Sequence, residues 1–392
     1  MRTLIELYDE RPLENVLSME MFRPERVVYI SADGSGPDKR MQEKLKAYFL
    51  HRGFEPELVF RRCNVFDTEA VLRLLRTVVH KYPDCCMDIT GGTDAVLFAA
   101  GLLAAETELP VVTYSRKKNC YYNIRNAPFA EKLPCDVLYS VEDCFLMAGG
   151  SMRSGRVDNS VLADYVADMD PFFRVFLNHR REWVKIVTYL QRISQGPADA
   201  PVQLQVHGAY TVKGERSARI EAPEAALREL EQIGFLRDLK LEKEQSVSFA
   251  FRDEQIRTWL RDVGSVLELY VYKACLNSGL FQDVRTSAVV DWEGDHRSHA
   301  VSNELDVMCT RGVTPVFISC KTCEVKTEAL NELAILRDRF GGKMARAAIV
   351  TAERGGAAMR NRALELGILV IDLNDLTAGR IGARLKTLMK NM

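Results

Sequence analysis

Asn303-Glu304-Leu305-Asp306-Val307 is followed, fifteen residues past Asp306, by Lys321 at the end of the apolar run Val316-Phe317-Ile318-Ser319-Cys320-Lys321. Both runs read as strands of a hairpin whose apolar positions are buried. Asp306 and Lys321 are then set to meet at one edge, where a carboxylate and an ammonium can hold a divalent cation and a water. The two-residue period of a strand places Ser319 and Lys321 on one face.

Upstream, Val266-Leu267-Glu268-Leu269-Tyr270-Val271-Tyr272-Lys273-Ala274 predicts a helix that is apolar on nearly every side except at Glu268. A carboxylate buried without a partner is costly, so Glu268 asks for a role. Glu268, Asp306 and Lys321 thus follow one another on helix, strand and strand. Over about residues 260 to 375 this order resembles the PD-(D/E)xK nuclease fold, with Asn303-Glu304-Leu305-Asp306-Val307 and Ile318-Ser319-Cys320-Lys321 as its specific part. The resemblance implies a metal-dependent phosphodiester hydrolase using Mn²⁺ or Mg²⁺. Glu268, Asp306 and the Cys320 carbonyl would hold the metal, Lys321 would orient the nucleophile and stabilise the phosphorane, and Ser319 would assist a metal-bound water. Ser319 stands where the family has Glu or Asp. Glu324-Val325-Lys326 spells E-x-K in full and offers a second register, although a polar Thr322-Cys323 break separates it from the buried strand.

From residue 1 to about 125 strands alternate with helices. The expected strands are Thr3–Leu7, Arg26–Ile30, Glu57–Arg61, Cys85–Ile89, Val111–Tyr114 and Cys120–Ile124. The expected helices are Pro12–Met21, Lys39–Arg52, Thr68–Lys81 and Asp94–Thr107. Such alternation argues for a parallel doubly wound sheet, which binds ligands beyond the carboxyl ends of its strands. Asp9-Glu10-Arg11-Pro12, Ser31-Ala32-Asp33-Gly34-Ser35-Gly36 and Thr90-Gly91-Gly92-Thr93 fall at that edge. Paired glycines admit close backbone approach, and the helix start after Thr93 favours an anion; the plainer reading is a tight turn with Thr93 as N-cap. Neither a Walker A pattern nor a complete dinucleotide fingerprint is present. A bulky side chain at Gly92 is expected to block ligand approach.

Residues after Gly149-Gly150 look looser, with a loop at 195–201. Pro223 to Ile233 then predicts an amphipathic helix closed by Gly234, and Leu239 to Phe251 a hairpin. That is the outline of a winged-helix module. Glu224, Glu229 and Glu231 against a single Arg228 make it a spacer rather than a reader of DNA.

Composition bounds the rest. With 392 residues, 47% hydrophobic and 27% charged, the chain suits two or three globular domains. A formal charge of −1 gives no global pull toward nucleic acid. The apolar run Ala95–Ala105 is far short of the ~20 residues of a membrane helix, and the charged N-terminus is no signal peptide. Ten cysteines fit a reducing compartment, so a cytoplasmic location is expected. Cys320 and Cys323 have CxxC spacing, but a second pair is missing and only His296 and His299 lie nearby, so zinc is not expected.

The N-terminal alternation, Thr90-Gly91-Gly92-Thr93 and Leu138-Tyr139-Ser140-Val141-Glu142-Asp143-Cys144-Phe145-Leu146-Met147-Ala148-Gly149 together resemble a CARF domain, the CRISPR-associated Rossmann-like sensor of cyclic oligoadenylates. The whole chain is then similar to the CARF-nuclease effectors of type III CRISPR systems. The implied architecture is α/β: a CARF sensor over residues 1–150, a linker and winged-helix-like module over 151–255, and a PD-(D/E)xK, restriction-endonuclease-like domain over 256–392. The resemblance implies a homodimer that binds cyclic tetra-adenylate across its two-fold axis and then cleaves DNA, RNA or both. Asp33, Gly34 and Ser35 with Thr90, Gly91, Gly92 and Thr93 would form the effector floor, and the central module would transmit the signal. Two other functions fit the same pattern: a nucleotide-responsive DNA-binding regulator with a degenerate nuclease fold, and a repair or restriction nuclease without an effector.

Overall fold

The apolar N-terminal runs become the strands of a seven-stranded sheet in the computed structural model, which describes residues 1–9, 11–32, 37, 39–154, 159–195, 202–214, 218–291 and 302–390. Asp33, Gly34, Ser35, His296 and His299 lie outside the described residues. The elements are β1 (Thr3–Leu7), α1 (Leu17–Phe22), β2 (Arg26–Ala32), α2 (Lys39–His51), β3 (Glu57–Cys63), α3 (Thr68–Lys81), β4 (Cys85–Asp88), α4 (Asp94–Glu106), β5 (Val111–Ser115), β6 (Cys120–Arg125) and β7 (Leu133–Pro134). The expected helix Pro12–Met21 is instead a 3-10 turn, Pro12–Asn15, followed by α1.

Sheet order is β3-β2-β1-β4-β5-β6-β7, parallel through β5 and antiparallel beyond it. Every position of β1 and β4 is buried, as central strands covered on both faces require. The winding reverses between these two strands, which opens a crevice at their carboxyl ends.

The chain continues through α5 (Val141–Met147), capped by Ser140 and Asp143 in a reciprocal box, to β8 (Ser151–Ser154). Next come α6 (Val166–Asn178), α7 (Trp183–Ile193), β9 (Gln205–Ala209), β10 (Thr211–Lys213), β11 (Arg219–Glu221), α8 (Glu224–Gln232), β12 (Leu236–Glu242) and β13 (Ser246–Phe251). The stretch that looked loose therefore holds two helices, which bury Phe172, Phe176 and Trp183. The β12–β13 hairpin gains β9 as a third strand, completing a winged-helix-like outline.

The C-terminal elements are α9 (Glu254–Leu260), α10 (Ser265–Asn277), β14 (Asp283–Asp291), β15 (Ser302–Arg311), β16 (Thr314–Lys321), α11 (Thr327–Gly341), β17 (Arg346–Thr351), α12 (Ala357–Glu365), β18 (Ile368–Ile371), α13 (Leu373–Thr377) and α14 (Ile381–Lys390). Their sheet runs β18-β17-β16-β15-β14-β8. β14 is one strand that passes through Ser287 at a φ of +50°. Strand β8, assigned from sequence to the central module, is the edge strand of this sheet and pairs antiparallel with β14.

The C-terminal sheet lies between two cores. On one face Val307, Ile318 and Cys320 join α10 and the aromatics of the central module, including Phe172 and Trp259. On the other, Leu305, Phe317 and Ile349 join α11, α5 and the N-terminal unit, including Leu4, Val27 and Tyr29. The N-terminal unit thus touches the C-terminal one directly. Phe145 meets Phe340 edge to face at 5.1 Å, and the Val141 N–H donates to Asp283 Oδ2 at 2.9 Å. The central module is not the sole bridge between them.

Candidate active site and effector crevice

β15 and β16 pair from Arg311·Thr314 to Val307·Ile318 and then part, while β16 stays on β17 as far as Lys321·Thr351. The cause is local. At Ser287 on β14 and Asp306 on β15 the facing of side chains switches: Val284, Val307 and Cys309 pack toward α10, whereas Ala288, Val290 and Leu305 pack the other way. The Asp306 carbonyl accepts from Thr286 Oγ1 at 2.7 Å, pinning the switch.

Asp306 fills the opening. Its Oδ2 accepts the Cys320 N–H at 2.6 Å and the Ser319 hydroxyl at 3.1 Å, with Lys321 Nζ at 3.4 Å. A side chain has thus replaced the backbone acceptor that the parting strand withdrew. In a strand the C=O of a residue points to the same side as its N–H, so the Cys320 carbonyl also faces the fork. Burial pushes the Asp306 carboxyl above its ordinary value, although Lys321 and the two hydrogen-bond donors oppose the shift. Burial works against the Lys321 ammonium, yet Asp306, the Cys320 thiol and Glu268 outweigh it and raise its pKa.

Glu268 reaches the fork electrostatically, from α10 on the opposite face: its charge acts on both Cys320 and Lys321. Its carboxylate folds back toward the start of α10, with Oε1 2.6 Å from where a Cβ on Gly264 would stand, a position the helix dipole favours. The fork therefore brings Asp306, Ser319, Cys320 and Lys321 into contact and Glu268 into range. Glu324 and Lys326 of the second register lie exposed on the loop after β16, with Val325 buried between them.

A cavity of about 90 Å³ opens on the α11 side of the fork, lined by Glu304, Asp306, Ser319, Lys321, Glu332 and neighbouring apolar residues. Glu304, which accepts from Ser287 Oγ at 2.8 Å, and Glu332 escaped the sequence reading. Two-residue spacing from Asp306 could have flagged Glu304. Nothing in the sequence joins Glu332 to the strands. Among the described residues no three His, Cys, Asp or Glu side chains are gathered to hold an ion. The oxygen-rich donor set still has the character that Mg²⁺ or Mn²⁺ needs, with hydroxyl and carbonyl oxygens supplementing the carboxylates. The ten cysteines are free thiols, with Cys320 buried and Cys323 exposed.

In the N-terminal unit, a crevice of about 460 Å³ lies at the switch point. Its walls include Tyr8, Asp9 and Arg11 after β1, Ser31 at the end of β2, and Gly92 and Thr93 after β4. Of the expected floor, Gly92 and Thr93 line it, whereas Thr90 and Gly91 hold the loop. Thr90 donates its N–H and hydroxyl to Asp88 Oδ1 at 2.7 and 2.5 Å, and its Oγ1 accepts the Tyr114 N–H at 2.8 Å. The reason for glycine at 92 differs from the expected one. With φ at +94°, a Cβ there would meet Leu7 Cβ at 2.9 Å, inside the fold rather than toward a ligand. Thr93 occupies the N-cap position of α4, but its hydroxyl makes no capping bond.

Beneath this loop Glu6 and Asp88 are register partners on β1 and β4, each about 1% exposed. Burial, then the neighbouring Asp88, raises the Glu6 pKa well above the carboxylate range; burial raises Asp88 against the Ser18 and Thr90 hydrogen bonds. Among the described residues Glu6 Oε2 has no hydrogen-bond partner.

Residues 253–389 match the family described as the Card1-like endonuclease domain. No curated protein matches the chain. Among solved structures, protein VC1899 from Vibrio cholerae superimposes with a TM-score of 0.72 at 16% identity, covering 98% of this chain and 97% of its own. Can2 from Sulfobacillus thermosulfidooxidans, in complex with cyclic tetra-adenylate, gives 0.70 at 16% identity, covering 99% and 97%. A type III CRISPR defence DNA nuclease activated by cyclic oligoadenylate gives 0.52 at 15% identity, covering 95% of this chain and 48% of its own. At these identities the likeness is one of fold: a CARF-like N-terminal unit and a C-terminal nuclease domain.

Proposed function

We propose that this protein is a metal-dependent nuclease of type III CRISPR antiviral defence, switched on by a cyclic oligoadenylate bound in the N-terminal crevice. One observation carries the reading: the splayed β15–β16 fork, with Asp306 and Lys321 in contact, shares a chain with a switch-point crevice. The Card1-like match over the fork and the cyclic tetra-adenylate bound to Can2, a protein of the same fold, support it.

Asp306, Glu268 and the Cys320 carbonyl would hold Mg²⁺ or Mn²⁺, which when bound supplies Lewis-acid stabilisation of the phosphorane. Lys321 orients the attacking water and neutralises developing charge, while the Ser319 hydroxyl fixes the Asp306 carboxylate. Arg11 in the crevice wall pairs with Asp9 at 3.8 Å and provides a cation for the effector's phosphates. A ring of four nucleotides exceeds one crevice, so two protomers share it across a two-fold axis. Helix α4 beside the crevice exposes Phe98 (62%) and Leu102 (37%), an apolar face suited to that pairing.

The signal has a short path. Arg11 lies over Gly342, just past α11, and Leu13 shares a small cavity with Phe340 and Gly341. The same helix lines the fork cavity near its other end, so a shift of the 9–15 segment on effector binding moves the active-site wall.

The test is cleavage of single- and double-stranded DNA and RNA with Mn²⁺ or Mg²⁺, with and without cyclic tetra-adenylate. Basal cleavage is low, the ring stimulates it, and linear AMP or ATP does not. Hundredfold activation needs roughly 2.7 kcal/mol of differential binding, within the usual range of coupling energies. Equal rates with and without the ring would refute the sensor, and no cleavage under any condition would refute the nuclease.

A further inference from the structure

Lys321 closes β16, where β15 has already parted from it, so the last pairings of the strand run to β17: Cys320·Val350 and Lys321·Thr351. One step further, the Ala352 N–H donates to the Lys321 carbonyl at 3.0 Å. Ala352 is fully buried, and its own carbonyl accepts from Arg180 Nη1 at 3.2 Å. The same nitrogen bonds the Glu353 carboxylate. Arg180 belongs to the central module. It stands on the 3-10 turn Arg180–Glu182 between α6 and α7, with its side chain 17% exposed. The turn it grips is tied in two other directions. Thr351 Oγ1 donates to the Cys323 carbonyl at 3.2 Å, and the Leu373 N–H donates to the Glu353 carbonyl at 3.2 Å.

Resting on the nuclease reading, we infer that Arg180 is a positioning residue for Lys321: acting through the Ala352 peptide, it fixes the end of β17 against which the lysine's backbone lies. Lys321 Nζ stands 3.4 Å from Asp306 Oδ2, and its side chain is 38% exposed. Its aim therefore depends on where the backbone of residue 321 is held more than on packing around the side chain. A guanidinium nitrogen shared between a carbonyl and a carboxylate makes charge-assisted bonds, which are shorter and stronger than neutral ones. Two hydrogen bonds in series, Arg180 to Ala352 and Ala352 to Lys321, then connect the central module to the fork. Arg180 is mostly buried and already paired with Glu353, which suits it to holding this turn and not to meeting the nucleic acid itself.

The test is a double-mutant cycle between Arg180 and Lys321 in the full-length protein. It follows cleavage of a DNA substrate at saturating Mn²⁺ and cyclic tetra-adenylate. Arg180→Ala lowers kcat about tenfold to a hundredfold, the scale of a small misplacement of a reacting group, and leaves KM within about threefold of wild type. In a Lys321→Ala background the same substitution costs less than about threefold more, because the group it positions is gone. Arg181→Ala, at the exposed neighbour on the same turn, changes neither constant. Should Arg180→Ala fail to fold, Arg180→Lys, which keeps the charge but loses the guanidinium fork, enters the same cycle with the same expectations. An unchanged kcat, a raised KM with kcat intact, or losses that multiply in the double variant would each overturn this inference and leave the nuclease standing. Wild-type protein that does not cleave under these conditions would overturn both.

Discussion

Replacing Asp306 by Ala and by Asn separates what this carboxylate does for the fold from what it does for chemistry. Asp306→Ala deletes the acceptor of the Cys320 N–H (2.6 Å) and the partner of Lys321 (3.4 Å). Beyond Val307·Ile318 the strands have parted, so no backbone acceptor on β15 replaces it. An unpaired buried amide costs about 1–3 kcal/mol. The Lys321 side chain is 38% exposed, so its pair adds only about 0–1 kcal/mol. Asp306→Ala should therefore lose roughly 1–4 kcal/mol in the urea transition of the C-terminal unit. Asp306→Asn keeps an oxygen for the Cys320 N–H and removes a charge that burial disfavours. Because the folded-state pKa of Asp306 is raised, its protonated form favours folding, a contribution that is full below the unfolded pKa and lost as pH rises through the folded value. Asp306→Asn should thus approach or exceed wild-type stability toward neutral pH. Both variants should lose cleavage by on the order of a hundredfold to a thousandfold, the scale of one missing transition-state stabiliser. Cleavage by Asp306→Asn within about tenfold of wild type would refute the site. Wild-type stability of Asp306→Ala would refute the fork bond.

Lys321→Ala should lower cleavage at saturating Mn²⁺ by about a hundredfold or more with little change in melting, since the side chain is partly exposed; wild-type cleavage would move the role elsewhere. Gly92→Ala should destabilise the N-terminal unit by about 1–3 kcal/mol, through positive φ and collision with Leu7, and weaken cyclic tetra-adenylate binding in parallel. Intact stability with lost binding would instead mean that the added methyl group meets the ligand. Glu6→Gln removes a carboxyl whose raised folded pKa makes its stabilising contribution full below the unfolded value and lost as pH rises. Its melting temperature should therefore gain on wild type between pH 5 and pH 8, and a gap independent of pH would show that Glu6 is not buried as a neutral acid.

The sequence by itself determined the elements whose burial is periodic. Thr3–Leu7 and Thr68–Lys81 emerge with the expected bounds, because local apolar spacing and turn residues specify them. Asp306 and Lys321 were legible for the same reason, as polar residues set into strands that are otherwise buried. The tertiary structure decided what no local pattern encodes. Ser151–Ser154 has too little apolar alternation to read as a strand and is one only because β14 offers it an edge. The switch of facing at Ser287 and Asp306 needs both strands to change together, which pairing reveals and periodicity hides. Glu332 is eleven residues past Lys321 on an ordinary helix, and only the packing of α11 across the fork brings it to the cavity. Spacing along a chain fixes which face a residue takes on its own element; which other element that face meets is set by the packing of the whole molecule.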